Sequence, residues 1–493
     1  MELNLASYVS IVLFVLTGTY VYYTTRSRSP LRLPPSPPGW PVIGHLHLMT
    51  DMPHHALADL ARSMRAPLLR LQLGSIPAVV ISKPDLAREA LTTNDAAMAS
   101  RPHLLSGQFF SFGCSDVTFA PAGAYHRMVR RVVVSDLVSP RRVATYGSIR
   151  DQELRSLLAH LTESASTEPE APVNLSKCLL NLANDVLCRI AFGRRFPHGK
   201  DDKLAALEPF ASTLTGLRRR LKSCLADLRE VCDEIIEEHI SGERQRIPGD
   251  RDEDFVDVLL RAQKAPDLKV PLTDDNLKSI VLDIFIAGTD TTFATIEWTM
   301  TELIRHPCIL RKAQDEVRQV VGAKGQVEES DLAELHYMRA VVKETFRLHP
   351  VVPLLVPRES IAACILGGYD IPAKTRIFIN TFAMGRDPEI WEDPLEYWPE
   401  RFEIAGSEID LKDRDYKLMP FGGGRRGCPG YTFALPTVQL TLAKLMYHFE
   451  WALPAGVRAK DINVEESFGL ATTKKEPLFV AIRNSDMYEF KRE

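Results

Sequence analysis

The chain begins with a run of mostly apolar residues, 3–23, centred on Ile11–Leu16. A helix of about twenty such residues spans roughly 30 Å, the hydrocarbon thickness of a bilayer. Arg26 and Arg28 follow at once, and a positive flank of this kind stays on the cytosolic side. A cleaved signal peptide is the alternative, but neither a basic start nor a small-residue cleavage site is evident. We therefore predict a single-pass transmembrane anchor over residues 1–25, with the rest of the chain in the cytosol.

A proline-rich stretch separates the apolar run from the rest of the chain. Residues 34–41 read Pro-Pro-Ser-Pro-Pro-Gly-Trp-Pro. Prolines at this density favour stiff polyproline geometry, and a disordered linker is the alternative. We assign residues 26–44 to a Pro-rich hinge and residues 45–493 to the body of the protein.

The pattern in the body is mixed at first and then mostly helical. Apolar runs bounded by turn residues predict two paired strands, Leu68–Leu73 and Ala78–Ile81. The longest helical stretch is Asp274–Arg305, for which Thr273 is a suitable N-cap and Pro307 a stop. At about 1.5 Å per residue this helix is roughly 50 Å long, enough to cross a domain.

Charge and cysteine content narrow the function classes. Sixty basic and 64 acidic residues leave a net charge of −4, so nothing suggests a nucleic-acid partner. The chain has eight cysteines, without a closely spaced pair, which favours a reducing compartment and no disulfide framework. They are Cys114, Cys178, Cys188, Cys224, Cys232, Cys308, Cys364 and Cys428.

The last of these cysteines lies in the unusual stretch 421–430, Phe-Gly-Gly-Gly-Arg-Arg-Gly-Cys-Pro-Gly. Neighbouring arginines and a following helix N-terminus are expected to lower the pKa of the Cys428 thiol. The glycines let the backbone approach a flat partner and direct N–H groups at the sulfur. No second cysteine or histidine has zinc-ligand spacing nearby, so a thiolate ligand to haem iron explains the stretch better than zinc or a small buried cysteine.

This stretch resembles the haem-binding loop of the cytochrome P-450 superfamily, the haem-thiolate monooxygenases. At 493 residues two domains would be the simple expectation, but the resemblance implies one large domain, mainly α with small β-sheets, behind the N-terminal membrane anchor. It implies haem b as cofactor, with Cys428 as the axial ligand of the iron and Phe421 and Arg426 in the cofactor-binding loop.

A second motif lies in the middle of the long helix, where residues 287–292 read Ala-Gly-Thr-Asp-Thr-Thr. Glycine, hydroxyl and acidic residues are poor helix formers, so a weak point inside a strong helix suggests function. A Ser/Thr-rich kink is the alternative. With the cysteine loop present, we expect Ala287 and Gly288 to form a groove at the cofactor and Asp290 and Thr291 to relay protons.

Further basic residues are candidates for the haem propionates. His126 and Arg130 are one helical turn apart, and both can donate to one carboxylate; a solvated basic face is the alternative. The family usually has tryptophan where this chain has His126. The resemblance adds Arg358 as a third propionate contact.

The resemblance also implies supporting structure around the cofactor. Glu344, Arg347 and Arg401 should form a buried network beneath the haem. Residues 352–355, and a loop at 107–119 that is rich in phenylalanine, should form walls of the substrate pocket, although the aromatic residues of that loop are equally suited to filling a core.

Within the resembled family, the chain is most similar to plant microsomal members. Residues 34–48, 106–114 and 420–435 carry that likeness. It implies hydroxylation of a small aromatic amine at the endoplasmic reticulum membrane, with electrons from NADPH through a membrane-bound flavoprotein reductase. Arg131 and Arg425 are candidates for docking the acidic surface of that reductase. The alternatives are another aromatic or terpenoid substrate, and a haem-thiolate isomerase or dehydratase, although those enzymes tend to lack the acid–threonine pair.

One departure from the resembled family lies near residue 205. Residues 203–207 run almost directly into 208–212, and about twenty residues, enough for a helix of roughly 30 Å, are missing from the roof of the pocket. A shortened roof admits water and holds the substrate loosely, which lowers the rate. We therefore expect haem incorporation with weak hydroxylation, and the remaining alternative is a haem-binding paralogue with little activity.

Overall fold

A computed structural model describes residues 10, 13–15, 17–18, 31–167, 171–196, 217–242, 253–266, 270–403, 411 and 416–485. Most of the predicted anchor and the shortened segment near residue 205 lie outside the described residues. The predicted hinge is described from residue 31 onward.

The described part is mainly helical, as predicted. The helices are α1 Pro53–Ser63, α2 Pro84–Leu91, α3 Asp95–Met98, α4 Leu105–Phe110, α5 Ala124–Val132, α6 Pro140–Ala144, α7 Gly147–Thr167, α8 Leu175–Phe192, α9 Leu217–Ser241, α10 Phe255–Gln263, α11 Asp274–Arg305, α12 Pro307–Val321, α13 His336–Leu348, α14 Thr381–Gly385 and α15 Tyr431–His448. A π-helical turn, Val133–Leu137, continues α5, and short 3₁₀ turns include Pro399–Phe402 and Gly424–Arg426.

The strands form four small sheets within the described residues. They are β1 Leu68–Leu73, β2 Ile76–Ile81, β3 Val173–Asn174, β4 Arg358–Glu359, β5 Cys364–Leu366, β6 Tyr369–Ile371, β7 Arg376–Ile379, β8 Phe449–Ala452, β9 Glu466–Ser467, β10 Thr473–Lys474 and β11 Phe479–Asn484. The sheets have the orders β1-β2-β7-β4, β3-β11-β8, β5-β6 and β9-β10. The predicted pairing of β1 with β2 is confirmed as antiparallel, with Leu68 opposite Ile81.

Helix α11 runs through the middle of the molecule and packs against α8, α13 and α15. Its predicted ends are confirmed: Thr273 and Asn276 form a reciprocal capping box, and Pro307 starts α12. Among the described residues, α11 is also the helix long and apolar enough to cross a membrane. Because α11 contributes many side chains to the largest hydrophobic core, we interpret it as a core helix.

Each described cysteine side chain is a free thiol, as the scattered cysteine pattern predicts. The loop that carries Cys428 immediately precedes α15 and faces the middle of α11 across a cavity. The fold therefore brings the two sequence motifs to opposite walls of one space.

Candidate active site

The cavity has a volume of about 2190 Å³ and contains most of the predicted site residues. One wall is formed by the loop with Phe421, Arg426 and Cys428, and the opposite wall by residues 287–292 of α11. Arg130 and Arg358 also line it. The thiol of Cys428 is exposed to this space, so the cavity can take a large flat group with one face towards the sulfur.

The cysteine loop is held in one conformation by its own backbone and by Asp95. The N–H of Cys428 donates to the carbonyl of Phe421 at 2.8 Å, and the N–H of Arg425 donates to Asp95 Oδ2 at 3.0 Å. Gly424 has φ +62°, and a Cβ there would lie 2.5 Å from Asp95 Oδ1. Glycine is therefore required at 424, and the sulfur is positioned before any ligand arrives.

The expected net lowering of the Cys428 pKa is wrong for the protein alone. Withdrawal from water raises the pKa of the Cys428 thiol above its ordinary value. The N–H groups of Gly430 and Tyr431 and the charge of Arg130 act in the opposite direction, but they do not outweigh this desolvation. These groups surround the sulfur with positive potential, which is the setting that a thiolate bound to a cation requires.

Four arginines and one histidine gather beside the loop. The guanidinium of Arg426 donates to the carbonyls of Ala99 at 2.7 Å and Ala120 at 2.6 Å, and Arg130 donates to the carbonyl of Gly427 at 2.8 Å. Arg358 donates to Asp95 at 2.9 Å. Burial, and after it the repulsion by Arg358 and Arg130, lower the pKa of Arg426 to about 10. The cluster has an excess of positive charge.

His126 has an unsatisfied ring nitrogen in this cluster. Its side chain is 5% exposed, and Nε2 has no hydrogen-bond partner. Burial and the neighbouring Arg426 and Arg130 lower the pKa of His126 to about 3, so the ring is neutral at ordinary pH. A buried ring nitrogen without a partner is costly, and in the tautomer that carries its proton on Nε2 this nitrogen can donate to an anionic oxygen.

These observations fit a haem. The cavity is large enough for a planar macrocycle, a thiol faces it, and the propionates would supply the negative charge that the His126 and arginine cluster lacks. The structure also gives Arg101 a place in this cluster, which the sequence did not predict. Arg101 is buried, donates to the carbonyl of Thr118 at 2.8 Å and lies near Arg358 and Arg426.

The wall formed by α11 is helical throughout but has unusual polar groups. Thr291 Oγ1 donates to the carbonyl of Ala287 at 2.7 Å, and Thr295 Oγ1 donates to the carbonyl of Thr291 at 2.7 Å. The hydroxyls of Thr289 and Thr292 are buried without a hydrogen-bond partner. Asp290 and Thr291 both line the cavity, as predicted, so this wall presents hydroxyl and carboxyl groups to whatever the cavity holds.

Gly288 has a packing role in addition to the predicted one. A Cβ at Gly288 would lie 2.7 Å from Leu187 Cδ1 on α8. Glycine here allows α8 and α11 to cross closely, and Gly288 also lines the cavity beside Ala287. Its presence in the motif therefore has a structural cause that needs no ligand.

The predicted network beneath the cavity is confirmed as a structural feature. Arg347 Nε and Nη2 each donate to Glu344 at 2.7 Å, and Arg401 Nε donates to Glu344 at 3.1 Å. All three side chains are buried. The N–H of Trp398 also donates to Glu344 at 2.7 Å. This network ties α13 to the 3₁₀ turn Pro399–Phe402 behind the cysteine loop.

The predicted pocket walls are only partly right. Val352 and Leu355 line the cavity, but Leu354 packs instead into the core beneath β1 and β2, because the backbone turns at Leu355 with φ +50°. In the aromatic loop, Phe119 lines the cavity. The guanidinium carbon of Arg229 lies over the ring of Phe112, 4.8 Å from the ring centroid. Phe112 therefore contacts α9 and does not line the cavity.

Two acids on the cavity, the buried Asp116 and the half-buried Asp283, were not predicted. Asp116 belongs to the segment Asp116–Ala120, which we name the 116–120 loop, and Asp283 lies on α11 four residues before Ala287. The spacing of Asp283 from Ala287 places both on one helix face and could have indicated this residue.

The sequence comparison identifies the class of protein. The family described as "Cytochrome P450" matches residues 34–480. The chain belongs to the cytochrome P450 family, and by family membership it is a haem-binding monooxygenase with a single, mainly helical domain. The fold agrees, since a zebra fish cytochrome P450 solved with abiraterone superposes with a TM-score of 0.75 at 25% identity, covering 88% of this chain and 99% of that one.

Two plant relatives share much more sequence with this chain than the zebra fish protein does. The chain is 74% identical to "Tryptamine 5-hydroxylase" of Oryza sativa subsp. japonica over 520 positions, covering 100% of this chain and 99% of the relative. It is 44% identical to "Cytochrome P450 71AP13" of Prunus mume, covering 96% of this chain and 94% of the relative. The first alignment exceeds the 493 residues of this chain by 27 positions, so residues present in the rice protein are absent here.

Proposed function

We propose that this protein is a tryptamine 5-hydroxylase, a monooxygenase that converts tryptamine to serotonin. The observation that carries the proposal is the 74% identity to the rice enzyme along the whole chain. The test is a reduced, carbon monoxide difference spectrum on microsomes that contain the protein, followed by titration with tryptamine. A thiolate-type spectrum that tryptamine perturbs supports the proposal. A thiolate-type spectrum without any response to tryptamine points to a different substrate.

Cys428 is the residue that would ligate the haem iron, and Phe421 packs beside it. Haem, when bound, supplies activation of dioxygen and insertion of one oxygen atom into the substrate. His126 Nε2 and the guanidinium of Arg130 would donate to the propionates, and Arg101, Arg358 and Arg426 would add positive charge around them. The orphaned His126 nitrogen and the excess of guanidinium groups support this assignment.

Proton delivery is the role we assign to Asp290 and Thr291. Both line the cavity on the side opposite Cys428. The Thr291 hydroxyl donates to the carbonyl of Ala287, and by rotating about its Cα–Cβ bond it can donate into the cavity instead. Asp290 next to it is suited to resupply the proton from the solvent side. Ala287 and Gly288 line this side of the cavity, where the reacting group would lie.

Electrons would come from NADPH through a flavoprotein reductase, as is typical of microsomal members of the family. Arg425 is 62% exposed in its side chain and Arg131 is exposed, and both belong to the segments that surround Cys428. Long cationic side chains in this position complement an acidic partner and increase the rate of association at low salt. They remain our candidates for reductase docking.

The membrane arrangement follows from the N-terminal residues: an anchor over residues 1–25, a hinge over 26–44 and a cytosolic catalytic domain over 45–493, at the endoplasmic reticulum. A turn at the end of the hinge supports it. Trp40 is 61% exposed, Val42 90% and Leu46 46%, while the buried ring of His45 fixes the turn through Pro37 and Gln72. Such a rigid apolar turn next to an anchor suits the lipid headgroup region.

Fluorescence can test this arrangement. Of the five tryptophans, Trp298, Trp391 and Trp451 are buried and Trp398 is half-buried. Vesicles with brominated lipids should therefore quench mainly Trp40, and Trp40→Phe should abolish that quenching. If the protein floats with the vesicles but Trp40 is not quenched, the proposed anchor stands and contact of this turn with the lipid is refuted.

A second candidate is a haem-binding paralogue with low activity, favoured by the 27 alignment positions that this chain lacks. The predicted position of the loss near residue 205 lies outside the described residues. The test compares turnover of the native chain with a chain into which the corresponding residues of the rice relative are inserted, at equal haem content. A large gain from the insertion favours the paralogue, and equal high turnover rejects it.

A further inference from the structure

The 116–120 loop forms part of the cavity wall and is held at its backbone from two sides. From the side of α11, Asp283 Oδ2 accepts the N–H of Val117 at 3.2 Å and the N–H of Thr118 at 3.0 Å. A carboxylate that accepts two backbone N–H groups makes stronger bonds than a neutral acceptor would. Asp283 therefore connects α11 to this loop.

The opposite side of the loop is held by arginines of the propionate cluster. Arg426 donates to the carbonyl of Val117 at 3.3 Å and to that of Ala120 at 2.6 Å. Arg101 donates to the carbonyl of Thr118 at 2.8 Å. The peptide units of the loop thus lie between a carboxylate on α11 and guanidinium groups beside the cysteine loop. Loss of either set of hydrogen bonds would let the loop shift towards the other set.

We propose that Asp283 is a positioning residue that sets substrate affinity by fixing the 116–120 loop against α11. Asp283 is about 6 Å along the helix axis from Ala287, four residues at about 1.5 Å each, and Phe119 of the loop faces the same cavity. A substrate placed next to Ala287 would therefore contact a wall whose position depends on this carboxylate. The inference rests on the proposed tryptamine hydroxylation only for the choice of substrate.

The charged or titratable groups that face Asp283 are Asp116 of the loop, Arg101 and, across the cavity, the thiol of Cys428. Burial raises the pKa of Asp283 to about 6, although Thr118, the two N–H groups and Arg101 oppose this shift. Burial and the charge of Asp283 also raise the pKa of Asp116. Because the pKa of Asp283 is raised, the carboxyl becomes neutral as the pH falls through about 6, and it then holds the two N–H groups less strongly. Substrate affinity should weaken on acidification over the same range.

The test uses Asp283→Asn in the full-length, haem-loaded protein. The amide keeps the shape of the side chain but loses the charge. We expect faster hydrogen exchange of the backbone amides at Val117 and Thr118, about a tenfold higher KM for tryptamine and a kcat changed less than about threefold. We also expect the acidic limb of the affinity profile near pH 6 to disappear.

A matched control is Asp275→Asn on the same helix. Asp275 pairs with Arg229 at 2.9 Å, and it does not line the cavity. This variant removes the same charge and should leave both amide exchange in the loop and KM unchanged. Equal haem content and an unchanged carbon monoxide spectrum in all three proteins show that the comparison concerns folded enzyme.

Two results would overturn the proposal. Unchanged exchange at Val117 and Thr118 in Asp283→Asn would show that the carboxylate does not hold the loop, whatever the substrate is. Faster exchange with unchanged KM would show that the loop position does not set affinity. A wild-type protein that does not bind tryptamine would refute the proposed substrate, and the exchange measurement would still decide the role of Asp283.

Discussion

The two walls of the cavity differ in how completely they are hydrogen-bonded. In the cysteine loop, the backbone of Cys428 and Arg425 and the guanidinium of Arg426 are all paired, and Gly424 fits a space that no other residue could enter. On α11, the hydroxyls of Thr289 and Thr292 are buried without partners. The backbone of the first wall is fixed before a ligand arrives, whereas the second wall keeps the hydroxyls of Thr289 and Thr292 available, although that of Thr291 is paired with the carbonyl of Ala287. This difference is what binding on one side and proton transfer on the other require.

The largest expected effect concerns the fixed wall. Cys428→Ser removes the soft thiolate ligand while leaving the backbone of the loop unchanged, because serine is close in size. We expect complete loss of the thiolate-type carbon monoxide spectrum and of hydroxylation. Cys364→Ser, at a half-buried cysteine of β5 that does not line the cavity, is the control and should keep both. A Cys428→Ser protein with an unchanged spectrum would refute the assignment of the ligand.

The support behind the fixed wall should give the next largest effect. Arg347→Ala removes two of the three 2.7 Å bonds to the buried carboxylate of Glu344, at an expected cost of about 3–5 kcal/mol in the free energy of unfolding. Arg401→Ala removes a single bond to Glu344, of 3.1 Å, together with bonds to the carbonyls of Glu392, Asp393 and Glu396, and should cost about 1–3 kcal/mol. Denaturant unfolding of the haem-loaded proteins measures both. Equal effects would mean that the network is not organised around Arg347.

Substitutions in the wall formed by α11 should lower the rate of hydroxylation without lowering the stability of the protein. Thr291→Ala is expected to lower product formation about 100-fold, with the carbon monoxide spectrum unchanged, because it removes a hydroxyl that faces the cavity. Thr299→Ala is the matched control, since Thr299 also donates to the carbonyl four residues earlier, at 2.7 Å, but does not line the cavity. Similar losses in the two variants would assign the effect to the helix and not to proton delivery.

How far the sequence predicts the molecule also differs between the two walls. The cysteine loop was predictable as a motif, because its glycines, arginines and cysteine resemble a known family pattern, but its contacts with Asp95, Ala99 and Ala120 come from the fold. The roles of Asp283 and Arg101 were not predictable, because each depends on residues far away in the chain that only the fold brings together. The wrong prediction for Leu354 has a similar origin. The sequence predicts an extended segment, but the left-handed backbone conformation of Leu355 directs the side chain of Leu354 into the core beneath β1 and β2.

The smallest expected effect concerns the border between the two walls, at His126. His126→Phe removes one N–H donor to the expected propionate and should speed haem loss about tenfold or less. Burial and nearby arginines lower the pKa of His126 to about 3, so the ring stays neutral above about pH 4. A propionate beside the ring raises this pKa and the arginines oppose the rise, so the ratio of haem-loss rates between variant and wild type should be the same at about pH 7 and about pH 8. A ratio that grows on acidification would show that the ring titrates in this range.

The most direct measurement is tryptamine turnover by the native chain, supplied with NADPH and a plant flavoprotein reductase and normalised to the haem–thiolate content. The predicted result is formation of tryptamine hydroxylated at position 5, at a rate proportional to that content and abolished by Cys428→Ser. A normal thiolate-type spectrum with no hydroxylated tryptamine would contradict the proposed activity.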